Sequence, residues 1–190
     1  MTTSSAKEVP LVRRLIKLAE KEDRGALAAL RTGLGKPPGA ASRMLPIVAP
    51  FLFSDEEPAT RAAFVTAALF AKHPDHRQIG SLGSSLWKAT KRERINPDGK
   101  HGEAGVEKHF AAALDADPED LPRHLEGLVS LCESAGVPID WHRFYRDVLG
   151  LLRHNEAYQI KIRRDWARDF WRGTAPQAES NQTEQQEDKE

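Results

Sequence analysis

The chain of 190 residues has a single cysteine, Cys132, which excludes an internal disulfide and any zinc site built on cysteines. It has no run of 18 apolar residues, so nothing in it reads as a membrane span. Its opening, Met1-Thr-Thr-Ser-Ser-Ala-Lys-Glu8, lacks a basic stretch followed by an apolar core and does not read as a secretory signal. Val and Ile are few beside Ala and Leu, and few segments alternate with period two, so sheet structure has little to stand on. Net charge is missing too, because 28 Lys and Arg balance 28 Asp and Glu. What remains is an ordinary globular composition, with 39% apolar residues and 13 glycines, which excludes a wholly disordered chain, a collagen and a coiled-coil rod. The expectation is a soluble, cytoplasmic protein of one domain, or one domain plus a tail.

The zero net charge is a sum of unlike parts. Thr174 to Glu190 reads TAPQAESNQTEQQEDKE, with only two alanines as apolar residues, and holds five acids against Lys189. Such a segment cannot bury a core, so residues 174–190 are expected to be a disordered acidic tail of net charge −4. Residues 1–8 are expected to be a flexible N-terminus and 9–173 an all-helical domain. The part before the tail carries 27 bases against 23 acids and is mildly basic.

Helical spacing dominates that part. Pro10 opens a helix whose stripe is Leu11, Leu15 and Leu18, with Ile16 and Ala19. Asp23 is placed to cap a second helix, holding Leu27, Leu30 and Leu34. Gly33 to Gly39, with two prolines and three glycines, must be a loop. Met44 to Phe53 reads as a short helix made irregular by Pro46 and Pro50. A helix starts near Pro58 and runs to His73, and another covers Ser81 to Thr90. Arg92 to Gly105, containing Asn96-Pro-Asp-Gly99, reads as a turn-rich loop. Further helices start at Asp117-Pro118, carrying Leu121, Leu125, Leu128 and Leu131, and at Asp140, and the last spans Ala157 to Trp171. The expected fold is all-α, a compact bundle of roughly eight or nine short helices.

The last helix carries two kinds of stripe. Lys161, Arg164, Arg168 and Arg172 fall within roughly 80° of one another, while Ile162, Trp166 and Phe170 recur every fourth residue on another face. Trp166 and Phe170 read as core, and Trp171 falls on the basic side. Asp165 and Asp169 are placed to pair with Lys161 and Arg172, so the ordinary reading of the basic stripe is a solvated face with internal ion pairs. Three other groups shift that weighting. Arg31, Lys36 and Arg43 flank the Gly-Pro loop. Lys88, Lys91, Arg92 and Arg94 crowd a helix end. Arg143, Arg146 and Arg153 lie roughly on one face of the Asp140 helix. Cations spread over helix ends and loops can follow a phosphate backbone, releasing a counterion at each contact, without reading sequence.

No constellation for catalysis, cofactor or metal stands out. Gly33-Leu-Gly-Lys36 lacks the Ser or Thr of a phosphate loop, and Pro37 and Pro38 remove two backbone donors. The seven histidines lack the spacing of three or four converging ligands and read as surface or capping residues. Cys132, in Leu128-Val-Ser-Leu-Cys132, reads as a small buried hydrophobe. No cofactor is expected and no enzyme activity.

Five segments carry a family resemblance. Leu30-Arg-Thr-Gly-Leu-Gly-Lys-Pro-Pro-Gly39 resembles the N-terminal signature of the CasB family, and Ser81-Leu-Gly-Ser-Ser-Leu86 its middle. Leu121-Pro-Arg-His-Leu125, Gly136-Val-Pro-Ile-Asp-Trp141 and Arg164-Asp-Trp-Ala-Arg-Asp-Phe-Trp171 follow in family order, so the likeness covers about residues 9–172. Arg94 to Gly105 departs from the pattern, and His154-Asn-Glu-Ala157 stands where the family has a Trp-containing junction. The resemblance implies an all-helical, non-catalytic small subunit of the type I-E CRISPR surveillance complex, Cascade, present there in two copies. Its implied partners are the CRISPR guide RNA, the target and displaced DNA strands, and other Cascade subunits, with no membrane. Sequence is read in such complexes by base pairing with the guide, so backbone contacts suffice for the protein. The residues expected to neutralise phosphates are Arg31, Lys36 and Arg43; Lys88, Lys91, Arg92 and Arg94; and Lys161, Arg164 and Arg168. The loop group follows the family motif, and the others rest on local charge. Two rival readings remain open: a helical scaffold that touches only protein, and a helix-turn-helix regulator, for which no convincing two-helix unit is present.

Overall fold

The computed structural model describes residues 8–53, 56–78, 80–95 and 103–174, with side chains described outside 93–95, 103–104 and 173–174. Residues 1–7 of the expected N-terminal segment 1–8 and residues 175–190 of the expected tail 174–190 lie outside the described residues. Nine α-helices run through the described residues: α1 (Pro10–Glu20), α2 (Arg24–Arg31), α3 (Leu45–Val48), α4 (Glu57–Lys72), α5 (Leu82–Ile95), α6 (Glu103–Asp115), α7 (Leu121–Ser134), α8 (Trp141–Leu152) and α9 (Glu156–Thr174). Two 3-10 turns, Ser42–Met44 and Ala49–Phe51, flank α3, as Pro46 and Pro50 require. The all-α expectation holds.

Helix starts follow local chemistry. Asp23 accepts from Ala26 N at 2.9 Å and Asp140 from Arg143 N at 3.0 Å, so both expected caps form. Pro10, Pro58 and Pro122 each stand in a first turn, where a missing N–H costs nothing.

Helix α4 is the axis of the core and touches α1, α2, α3, α7 and α8. Its composition explains this. Ala62, Ala63, Ala67, Ala68 and Ala71 are all buried and keep its surface shallow, while Phe64, Leu69 and Phe70 fill the spaces between neighbours. Phe70, Trp141 and Phe144 make edge-to-face contacts with centroids 5.5 and 5.0 Å apart, and Trp141 Nε1 donates to Asp75 O at 3.2 Å.

Helices α5 and α9 form the most extensive helix pairing. Ile162, Trp166 and Phe170 are buried along it, as the four-residue spacing predicts. Gly83 makes the approach possible: a Cβ there would stand 2.1 Å from Trp166 O. A polar chain links α5, α8 and α9 at the same place. Trp166 Nε1 donates to Asp147 Oδ2 at 2.7 Å, Arg143 lies 3.7 Å from both Asp147 and Asp169, and Ser81 Oγ donates to Asp169 Oδ2 at 2.7 Å. Burial pushes the Asp147 carboxyl up, against the lowering effects of the Trp166 hydrogen bond and the nearby arginines.

Three expectations need correction. Helix α5 runs on to Ile95 instead of stopping at Thr90, because no Gly or Pro interrupts it before Pro97. Gly105 is not in a loop but inside α6, which the reading of Arg92 to Gly105 as one loop left out; residues 96–102 lie outside the described residues. Helix α6 buries Val106, Phe110 and Ala113, and Phe110 packs on Phe170 at 4.7 Å and on Trp171 at 5.5 Å. The histidines, read as surface or capping residues, include two that are buried, of which His73 is the C-cap residue of α4. His73 is buried with Nε2 2.7 Å from Val137 O, and His142 is buried with Nδ1 accepting from Val9 N at 3.0 Å. Burial, with His76 next, holds His142 below its usual range, which suits an acceptor.

Candidate nucleic-acid interface

The three groups of expected cations meet different fates, decided by what lies within reach of each side chain. In the loop group, Arg31 Nε donates to Ala71 O at 2.7 Å and ties the end of α2 to the end of α4. Lys36 borders a depression of about 490 Å³ between the Gly33–Pro38 loop, α4 and α7, which it shares with Arg61 and Arg123. Glu57, Glu119 and Glu126 line the same depression, so its charge is mixed. Arg61 donates to Glu119 O at 2.9 Å, and Lys72 stands 3.9 Å from Glu126. Arg43 is exposed on the first 3-10 turn.

On α9 the acids placed among the cations engage them. Asp165 lies 3.8 Å from Lys161 and 3.0 Å from Arg168, and Asp169 lies 3.4 Å from Arg168. Asp169 pairs with Arg143 and Arg168, so the expected Arg172 partner is replaced by one on α8. Arg164 is exposed and has no partner among the described residues. Arg153, the residue that ends α8, pairs with Glu56 at 3.1 Å. Trp171 is 37% exposed, and its Nε1 donates to Glu107 at 2.8 Å, which pins α9 to α6.

The α5 group is different. The linker after α4 and the linker before α8 pair through one parallel bridge, His76 to Ile139, with Arg77 N donating to Ile139 O at 3.3 Å. That pairing carries the Arg77 side chain to the face of α5. The helix α7 ends in a left-handed glycine, Gly136 at φ +59°, and Val137 N donates back to Cys132 O at 2.8 Å. The turn brings Val137 and Pro138 against α5, where Ser85 Oγ donates to Pro138 O at 3.1 Å. The result is a pocket of about 300 Å³ with Val137, Pro138 and Trp87 as its apolar part and Arg77, Lys88, Lys91 and Arg92 as its polar part. Among the described residues no carboxylate lines it. Lys91 Nζ stands 5.8 Å from the Trp87 ring centroid. Arg92 is held in place: its Nη1 donates to Ala135 O at 3.1 Å and also to Gly136 O, capping the open carbonyls of α7. The Arg94 side chain lies outside the described residues.

Arg77 is the residue that sequence reasoning missed. It belongs to no periodic element, and only the pairing of two linkers more than 60 residues apart places it beside Lys88. Among the described residues no group of three or more His, Cys, Asp or Glu could hold a metal ion, and no helix is long and apolar enough to cross a membrane. Burial pushes the Cys132 thiol up to about 12, so it carries no thiolate for nucleophilic chemistry near neutral pH.

Comparison with known proteins adds a lineage to this geometry. The family model described as CRISPR-associated protein Cse2 matches residues 26–171. The CRISPR-associated protein Cse2 of Thermus thermophilus is 32% identical over 157 residues, covering 81% of this chain and 83% of that protein. A crystal structure of a Cse2-family protein from Thermus thermophilus superposes with a TM-score of 0.69 at 31% identity, covering 89% of this chain and 99% of the other. A chain of a CRISPR RNA-guided surveillance complex gives a TM-score of 0.68 at 27% identity, covering 86% of this chain and 90% of that one. The nine-helix arrangement, the five ordered sequence landmarks and these similarities have one common explanation: the chain belongs to the CRISPR-associated Cse2 family, also called CasB.

Proposed function

We propose that this chain is the non-catalytic small subunit of a type I-E CRISPR surveillance complex and binds nucleic acid there without regard to sequence. In this reading it works in the cytoplasm, beside other Cascade subunits and a second copy of itself. It supports the guide RNA, the target-strand heteroduplex and the displaced strand of the R-loop. The observation that carries the proposal is the pocket bordered by Arg77, Lys88, Lys91 and Arg92 with no carboxylate among its described lining residues. Cations with no acid beside them among the described residues supply the counterion release on which backbone binding rests. The family likeness to a chain of an RNA-guided surveillance complex supports the setting.

The double variant Arg77→Glu with Lys88→Glu tests it. These two side chains take part in no ion pair or cap among the described residues, unlike Arg31, Arg92 and Arg168. Affinity for single strands of unrelated sequence should fall by a similar factor for each. The slope of log K against log salt should flatten by about 1 per lost phosphate contact. Unchanged affinity at low salt would remove the α5 cluster from the interface.

A second reading has its own support on α9. Lys161 and Arg168 are neutralised by Asp165 and Asp169, while Tyr158 and Ile160 on the same helix are 45% and 52% exposed. A helix with neutralised cations and exposed apolar side chains on two sides suits protein contact, and a scaffold without nucleic-acid contact would use it alone. The same titration separates the readings, because the scaffold shows no strand binding even at low salt.

A further inference from the structure

The α5 pocket is more than a row of positive charges. Its Trp87 ring is half-buried, and Lys91, which also borders the pocket, holds Nζ over the ring at 5.8 Å from its centroid. The ring packs against the core on its inner side and also borders the pocket. Trp87 Nε1 is buried and has no acceptor among the described residues. A phenyl ring at this position would avoid burying that donor, so what tryptophan contributes here is ring area. Val137 and Pro138 extend the apolar surface, and about 300 Å³ of space lies over it, at the lower end of what small-ligand pockets enclose.

From this geometry we infer that the pocket takes one unstacked nucleotide of a single strand, with its base against Trp87, Val137 and Pro138 and its phosphate between Arg77 and Lys88. The inference rests on the nucleic-acid reading above and adds a base to a contact otherwise made only to phosphates. An inorganic phosphate would satisfy the cations and leave the apolar floor uncovered. A base with its attached phosphate matches both halves, and it does so without reading sequence, since every base has a face to stack. Arg92 stays on the α7 carbonyls and forms the wall.

The test uses the full chain and two fluorescein-labelled DNA 12-mers, one of thymidine and one with the same backbone but abasic at every position. Binding is read by anisotropy at low salt. The wild type should bind the abasic strand at least about fivefold more weakly. In a Trp87→Leu variant shown by circular dichroism to be folded, that ratio should collapse toward one while abasic affinity is unchanged. Lys88→Ala should weaken both strands alike and leave the ratio intact. Equal binding of the two strands by the wild type overturns the nucleotide pocket and leaves the backbone-binding proposal standing, an outcome that needs no variant to fold. A ratio that persists in folded Trp87→Leu also overturns it, because the base then sits elsewhere. Failure to bind either strand overturns both proposals.

Discussion

Gly83→Ala should destabilise the protein at the upper end of about 1–3 kcal/mol, lowering the melting temperature by about 6–12 °C. Helix propensity alone points the other way: alanine in a helix interior is worth about 1 kcal/mol over glycine, and Gly83, second in α5, would show a part of that gain. The sign is therefore diagnostic. An added Cβ would stand 2.1 Å from Trp166 O, 2.9 Å from its carbonyl carbon and 3.2 Å from Phe170 N. All three atoms are backbone, so no side chain can turn aside, and the whole of α9 must move away from α5. That movement opens the interface in which Trp166 and Phe170 are buried. Gly127, inside α7, is the internal control: a Cβ there meets no atom within 4 Å. Gly127→Ala should gain about 0.5–1 kcal/mol in the same urea titration. If Gly83→Ala also stabilises, the close crossing of α5 and α9 is wrong.

Trp166→Ala carries the other large effect, a loss of about 3–5 kcal/mol from an almost fully buried indole. Trp166→Phe separates the ring from its hydrogen bond. It keeps most of the packing but takes from Asp147 the donor that stands 2.7 Å away. The remaining cations acting on it are Arg143, at 3.7 Å, and Arg146. Burial already raises the Asp147 carboxyl, so the folded state holds its proton more tightly than the unfolded chain does. The buried charge therefore costs stability above the folded pKa, and this cost is relieved as pH falls through that pKa toward the ordinary value of 3.8. Without the indole donor the folded pKa rises further. The gap in urea midpoint between wild type and Trp166→Phe should therefore be widest at neutral pH and narrow as the solution is acidified. A gap independent of pH would mean that the hydrogen bond does not support the charged carboxylate.

These two residues also mark how far the sequence is legible. Trp166 and Phe170 announce themselves as core by their spacing, and Asp23 and Asp140 announce themselves as caps, because both signals act within one or two turns of chain. Helix α6 was hidden by Asn96-Pro-Asp-Gly99, whose turn chemistry drew the loop boundary out to Gly105 past a helix already under way. The cations were the least legible. Arg92 reads as a free charge beside Lys91, yet the carbonyls it caps are more than 40 residues away in sequence. The pattern announces that Asp165 and Asp169 pair within the basic stripe, and Lys161 does meet Asp165, but it assigns Asp169 to Arg172, whereas Asp169 meets Arg168 and Arg143. Arg77 enters the pocket only because two linkers pair. Charge density along the chain finds where cations are; which of them remain unpaired is a tertiary property.

Cys132, the only thiol in the chain, sits at 0% exposure inside α7 with its pKa pushed up to about 12. The protein is in consequence a silent background for thiol chemistry as it stands, with no native cysteine to remove. A probe attached through Arg164→Cys on the outer face of α9 would be the sole label on a folded molecule. Any maleimide uptake by the wild type would report unfolding of α7.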